Sequence, residues 1–155
     1  MESRMKSPVF ILPGTREALL GIVKAVENAG VPRVILELVN VRVGQINGCS
    51  LCVDMHTRAL RRLGESDRRL FTLAVWRETP YFTDAERAAL ALAEAATRLA
   101  DATDAVPDSV WSDAARHFPE SELSALLMTI AVANLWNRLN VATRRVTGDF
   151  VEQFL

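Results

Sequence analysis

An all-α, single-domain fold of about seven helices is what this sequence predicts, on three observations. Apolar residues recur at three- and four-residue spacing along most of the chain, the period of a helix with one buried face. Glycine and proline fall where those periodic segments stop and start. Strand-like alternation of apolar and polar residues is almost absent.

The elements follow in order. "TREALLGIVKAVENAG" carries apolar residues at positions 18, 19, 22, 23 and 26 and ends on Gly30, a helix with a C-terminal cap. "VPRVILELVNVRVGQING" opens with Pro32 at a helix start. Its β-branched content is compatible with a strand, but its length and the spacing of Val34, Leu38 and Val41 favour a helix over 33–46. Asn47-Gly48 closes that helix, and the next runs at once from Cys49 to about Leu63, before Gly64. "ESDRRLFTLAVWRET" places Leu70, Leu73, Ala74 and Trp76 on one face and stops before Pro80. "TDAERAALALAEAATRLAD" begins with Thr83 and Glu86 in capping-box spacing and is rich in alanine, a surface suited to close helix packing. "DSVWSDAARHF" follows Pro107, and a long apolar helix, 122–146, closes the series. The helices 85–100 and 122–146 are apolar or small around much of their circumference, which predicts a homo-oligomer.

Composition excludes several classes of function. The 155 residues suit one domain, 1–155, that buries about 70% of its unfolded surface. With 18 basic and 19 acidic residues and no run of one sign, no nucleic-acid footprint is expected. No stretch approaches the roughly 20 apolar residues of a membrane span, and the first 20 residues do not form a signal peptide. The expectation is a cytoplasmic protein, where two cysteines three apart are more often catalytic or metal-binding than structural.

The chemistry gathers in "QINGCSLCVDMHTRALRRLG". On a helix, Cys49, Cys52 and His56 lie at i, i+3 and i+7, on one face within two turns. Free N–H groups and the helix dipole favour a thiolate at Cys49. In such a pair one thiolate attacks and the other closes a disulfide on the oxidised product. His56, one turn beyond Cys52, can take or return the proton. Glu37 is a carboxylate inside the apolar run "VILELVNV", where burial without a partner would be costly. Two antiparallel helices joined at Asn47-Gly48 bring it within reach of His56, so that a Glu37–His56 hydrogen bond fixes the tautomer of the imidazole. The same residues also fit a zinc half-site, a structural disulfide or two small buried hydrophobes. Redox use is favoured because zinc needs a fourth ligand, and His117 lies in another helix. With Glu37 the set would be two cysteines, a histidine and a glutamate, an uncommon one, on cysteines whose i, i+3 spacing rarely suits two zinc thiolates.

At these residues the chain resembles a known family. "ELVNVRVGQINGCSLCVDMHTRALRRLGES", the core motif at 33–64, is similar to the core of the alkylhydroperoxidase (AhpD-like) branch of the carboxymuconolactone decarboxylase family. The shared pattern is a glutamate, eleven residues ending in Asn-Gly, then CxxCxxxH, matched by Glu37, Cys49, Cys52 and His56. "WRETPYFTDAERAALALAEAAT" and "ANLWNRLNVATR" resemble the flanks of longer single-domain members, so the likeness runs from about residue 13 onward. It implies an all-helical trimer or hexamer with thiol-dependent peroxidase chemistry. Cys52 would be the peroxidatic cysteine, oxidised to a sulfenic acid, and Cys49 the resolving one. Glu37 and His56 would relay the proton. The hydroperoxide becomes an alcohol, and a lipoyl- or thioredoxin-type dithiol reduces the Cys49–Cys52 disulfide, without flavin, metal or other cofactor. The helix position favours Cys49 as the acidic thiol, whereas His56 and the resemblance select Cys52 as the attacking one.

One position departs from the pattern. Leu51 stands where the best-studied members carry a histidine, which predicts weaker peroxidase activity or a different substrate. Decarboxylase members lack the CxxC pair, so decarboxylation is not expected. The alternative is a redox-sensing or structural oligomer of the same fold. Candidate pocket residues beside Leu51 are Trp76, Trp136, Asn137 and Arg138. Asn134 and Asn140 share the polar cluster "NLWNRLN", which must find partners in an apolar helix. Tyr81 and His117 are read as structural or surface residues.

Overall fold

A computed structural model describes residues 2–148 of the chain; residue 1 and residues 149–155 of the expected domain lie outside the described residues. It is all helical there. The α-helices are α1 (Pro8–Ile11), α2 (Thr15–Glu27), α3 (Arg33–Asn47), α4 (Ser50–Arg62), α5 (Asp67–Thr72), α6 (Asp84–Thr97), α7 (Asp108–His117) and α8 (Glu120–Ala142). Short 3₁₀ segments span Leu73–Glu78 and Leu99–Asp101.

α3 is the axis of the molecule. Its sequence is apolar nearly all round, and it packs along α4, α6 and α8, so Ile35, Leu36, Leu38, Val39, Val41 and Val43 are all buried. One core cluster joins α3 to α6, α7 and α8 around Val39, Val43, Leu92 and Leu126. A second joins Leu38 and Val41 to Leu60, Leu73, Trp76 and Leu90. The alanines of α6 serve this packing: Ala88, Ala89 and Ala93 are fully enclosed and allow neighbouring helices to approach closely. The apolar circumference of α6 is therefore covered within one chain and needs no partner subunit. α8 differs, because Met128, Leu135 and Val141 remain exposed.

Local signals fix several boundaries. Thr83 and Glu86 form the expected capping box, with the Thr83 N–H donating to Glu86 Oε2 at 2.8 Å and the Glu86 N–H to Thr83 Oγ1 at 3.3 Å. The stretch 65–79, expected as one helix, is instead α5 followed by a 3₁₀ segment with Val75 out of helical geometry. The buried residues Leu70, Leu73 and Trp76 recur every three residues. That spacing suits the three residues per turn of a 3₁₀ helix, whereas an α-helix would swing Trp76 away from the core. α8 ends at Ala142, short of the expected 146: the chain turns out at Arg144 (φ 52°), and the Arg145 N–H closes the end on the Asn140 carbonyl at 2.8 Å. α1 was not legible as a helix, being a single turn started by Pro8.

Glu94 holds α3, α6 and the 3₁₀ segment together. It is a buried carboxylate accepting from Arg42 Nε at 2.7 Å and Trp76 Nε1 at 3.0 Å, with Arg77 as a further partner. Burial pushes its carboxyl up, but Arg77, Trp76 and Arg42 outweigh this and hold it below the ordinary glutamate value. Glu94→Ala leaves the enclosed Arg42 guanidinium with Gln45 but without a carboxylate to balance its charge. It is expected to destabilise the fold by about 3 kcal/mol, read as a lower urea midpoint at unchanged m value.

Candidate active site

The turn between α3 and α4 sets the geometry of the cysteines. Gly48 adopts φ 68°, the left-handed conformation that closes a helix, and the Cys49 N–H then bonds back to the Gly44 carbonyl at 2.9 Å. Gly44 lets α4 lie against α3 at this point. A Cβ there would stand 3.2 Å from Val53 Cγ2 and 3.5 Å from Cys52 Cβ.

Cys49 is the N-cap of α4 rather than part of its first turn, and its Sγ accepts the Cys52 N–H at 3.3 Å. Cys52 lies inside the helix. The two are joined as a disulfide with a Cα–Cα separation of 5.4 Å, within the range a disulfide spans without backbone movement. Both are buried. Asn140 of α8 donates its Nδ2 to Cys52 Sγ at 3.4 Å and lies 3.9 Å from Cys49 Sγ.

α3 and α4 run antiparallel, and this brings Glu37 to His56, as their distances from the turn require. Glu37 Oε2 and His56 Nδ1 are 2.6 Å apart. Glu37 is 1% exposed, and its other oxygen is paired with Arg33 at 2.7 Å, one turn earlier on α3. Burial alone pushes the Glu37 carboxyl up. The hydrogen bond and charge of His56, with the charge of Arg33, outweigh it and hold the carboxyl below the ordinary glutamate value. An ionised Glu37 can only accept, so Nδ1 of His56 is the protonated ring nitrogen. Nε2 is left to exchange a proton with a reacting group.

Cys52 and His56 open onto one cavity of about 300 Å³, whose wall also carries Glu37, Asn40 and Asn140. The rest of the lining is largely apolar. α2 contributes Leu20, Ile22, Val23 and Val26, α4 Leu51 and Met55, and α8 Met128, Val132 and Trp136. Phe10 of α1 and Arg33 complete its rim.

The expected pocket residues divide. Leu51, Trp136 and Asn137 line the cavity. Trp76 does not: it is enclosed in the second core cluster, with its indole N–H on Glu94. Arg138 does not line it either, and its guanidinium donates instead to Asn134 Oδ1 at 3.0 Å. The polar cluster "NLWNRLN" thus has two faces. Asn134 bonds to Asn47 and Thr97 and ties helix ends together, while Asn137 and Asn140 face the cavity. Asn47 Nδ2 also bonds Asn137 Oδ1 at 3.0 Å, fixing that amide beside the thiol turn.

Two residues with direct contacts at this centre, Arg33 and Asn140, were not among the expected site residues. Arg33 at i−4 from Glu37 is a spacing that predicts an ion pair on a helix. Asn140 reaches the sulfurs only through the packing of α8, which sequence spacing does not reveal.

Known proteins share this fold and sequence pattern. Residues 13–95 match the sequence profile of the carboxymuconolactone decarboxylase family. The uncharacterized protein YdfG of Bacillus subtilis is 33% identical over 85% of this chain and 88% of its own length. YnjA of Escherichia coli is 37% identical over 70% of this chain and 58% of its own. Among solved structures, an Agrobacterium tumefaciens protein of unknown function, for which an AhpD antioxidant-defence role has been suggested, superposes with a TM-score of 0.87 at 30% identity. The match covers 96% of this chain and 99% of that one. The debrominase Bmp8, solved as a cysteine-to-alanine variant in complex with 2,3,4-tribromopyrrole, shares the fold at a TM-score of 0.80 and 18% identity, over 94% of this chain and 76% of its own. The buried glutamate, the CxxC pair and the histidine are set in an AhpD-like helical fold, and the chain belongs to the carboxymuconolactone decarboxylase family.

Proposed function

We propose that the protein is a thiol-dependent reductase of organic hydroperoxides, an antioxidant enzyme that cycles a Cys49–Cys52 disulfide. The observation that carries this reading is the placement of Cys52 and His56 on one cavity, with His56 Nδ1 held 2.6 Å from the buried Glu37. In the reduced protein His56 Nε2 accepts the Cys52 proton, and Asn140 donates to the thiolate. The thiolate attacks the distal peroxide oxygen. The O–O bond breaks, Cys52 becomes a sulfenic acid, and the departing alkoxide takes the proton from His56 and leaves as the alcohol. The Cys49 thiol then displaces water from the sulfenic acid and forms the disulfide. A dithiol supplies two electrons and two protons to restore both thiols.

Leu51 adds apolar wall where a histidine stands in the best-studied members, which matches a bulky organic peroxide better than hydrogen peroxide. The apolar lining also supports a second reading, reductive removal of halogen from an aromatic ring. There the dithiol would again supply the electrons, with hydrogen halide as the product. The exposed apolar residues of α1 and α8, among them Phe10, Ile11 and Leu135, fit burial in a cytoplasmic homo-oligomer, a trimer or hexamer.

Steady-state turnover of cumene hydroperoxide with dihydrolipoamide tests the proposal, with bromopyrroles assayed in parallel. A disulfide that forms on oxidation but supports no turnover with any dithiol would favour a redox sensor. Asn140→Ala removes the donor to Cys52 and is expected to slow thiol oxidation about tenfold, the worth of one hydrogen bond to a charged group. Stopped-flow measurement of the oxidation step checks this.

A further inference from the structure

The two cysteines of the disulfide line different cavities. Cys52, without Cys49, lines the deeper, largely apolar cavity that also holds His56. Cys49, without Cys52, lines a shallow cleft open to solvent, formed with Gln45, Gly48, Ser50 and Thr57. We propose, as an extension of the peroxidase reading, that this cleft is the entry for the reducing dithiol and that Cys49 is the sulfur it attacks.

The chemistry of thiol–disulfide exchange selects this side. A thiolate attacks in line with the bond it breaks, so it must approach the chosen sulfur from the side away from the other. An approach to Cys52 runs through the apolar cavity. An anionic thiolate entering there would lose its water among Leu51, Met55, Met128 and Trp136. The approach to Cys49 runs through a shallower cleft, itself mainly apolar with Val53 among its lining, that stands more open to solvent and leaves the thiolate a shorter path out of water. Asp54 at the edge of this cleft is neutralised by Arg58 at 2.9 Å and accepts from Thr147 at 2.6 Å.

The leaving group points the same way. When the donor thiolate bonds to Cys49 Sγ, the S–S bond breaks and Cys52 departs as a thiolate. Asn140 Nδ2 stands 3.4 Å from that sulfur, and His56 shares its cavity. Cys52 is thus released as the thiolate that attacks peroxide, and His56 Nε2 takes up from solvent the proton that the donor thiol gave up. The donor's second thiolate attacks the mixed disulfide, leaves as a cyclic or paired disulfide, and frees Cys49 as a thiolate that takes up a proton. Peroxide and reductant thus use opposite faces of the pair, and the alcohol product need not leave before the dithiol enters. Cys49 is 1% exposed, so the attacking thiol must be carried on a slender arm that reaches the floor of the cleft.

Rapid quench of the disulfide form of the protein with a monothiol, glutathione, tests the assignment. Excess N-ethylmaleimide caps the released thiol, and fragment-ion sequencing locates both groups. The expected result is glutathione on Cys49 and maleimide on Cys52. The reverse pattern, or an even split, overturns the proposal. As a second measurement, Thr57→Trp fills the cleft and is expected to lower the rate constant for reduction by dihydrolipoamide at least tenfold, relative to the rate constant for oxidation by cumene hydroperoxide. An equal effect on the two steps overturns it. Diamide can prepare the disulfide without any peroxide, so failure of the peroxidase reading would appear as absent oxidation by hydroperoxide. Failure of the present proposal would appear as a misplaced adduct.

Discussion

Cys52→Ser is expected to lower hydroperoxide turnover about 1,000-fold or more while leaving the fold in place. A serine hydroxyl is not ionised near neutral pH and is a poor nucleophile toward peroxide oxygen, so the covalent step is lost rather than slowed. The fold should survive because the disulfide spans only three residues and the pair stabilises little by closing so short a loop. Unchanged helical content and a melting midpoint close to that of the reduced parent are therefore the control. Cys49→Ser should behave differently. It retains the attacking thiol and should consume a single equivalent of peroxide, then stall with Cys52 as a sulfenic acid that a dimedone probe labels. A Cys52→Ser protein that turns over normally would move the attacking role to Cys49, whose N-cap position favours its thiolate.

Glu37→Gln is expected to lower turnover about 100-fold, the usual worth of a positioned proton-transfer system. A glutamine can bond His56 through either its oxygen or its nitrogen, so it no longer dictates which ring nitrogen carries the proton, and it leaves Arg33 paired with Glu27 alone. The substitution should also cost about 1.5 kcal/mol of stability near neutral pH, the worth of a hydrogen bond to a charged group, since Arg33 is half exposed and stays paired with Glu27. The pH dependence has a definite sign. The folded carboxyl is held below the ordinary value of 4.5, so its stabilisation is fully present above about pH 4.5. It is lost as pH falls through the lower folded value, where the folded state too becomes protonated. The stability difference between parent and Glu37→Gln should therefore be constant at neutral pH and shrink only in acid. Urea unfolding between about pH 3 and 7 measures it, and a difference that grows on acidification would contradict the assignment.

The grouping of the candidate site residues was legible in the sequence because it is nearly local. Cys49, Cys52 and His56 share one helix face, and Glu37 reaches them through one tight turn whose glycine announces itself. Most helices were legible for a related reason, since glycine, proline and capping residues punctuate an otherwise periodic chain. What escaped were features decided by long-range packing. Trp76 lies in an apolar run whether it faces a cavity or a core, and only the arrangement of α6 beside it placed its N–H on Glu94. Glu94 looked like one polar residue in an alanine-rich helix until Arg42, from α3, was packed against it. The division of "NLWNRLN" into structural Asn134 and Arg138 and cavity-facing Asn137 and Asn140 depends on which side of α8 meets α4. The break at Leu73 follows from a strict three-residue spacing of buried side chains, a subtle signal beside the helix propensity of the same segment.

The most direct test of the proposed chemistry is a single turnover on the reduced protein. One equivalent of cumene hydroperoxide is added anaerobically, free thiols are capped with N-ethylmaleimide, and the cysteine peptides are analysed by mass spectrometry while the alcohol is quantified. The account predicts one cumyl alcohol per chain, loss of two hydrogens, and a disulfide joining Cys49 to Cys52 that dihydrolipoamide reverses. Two capped thiols beside unconsumed peroxide would contradict it.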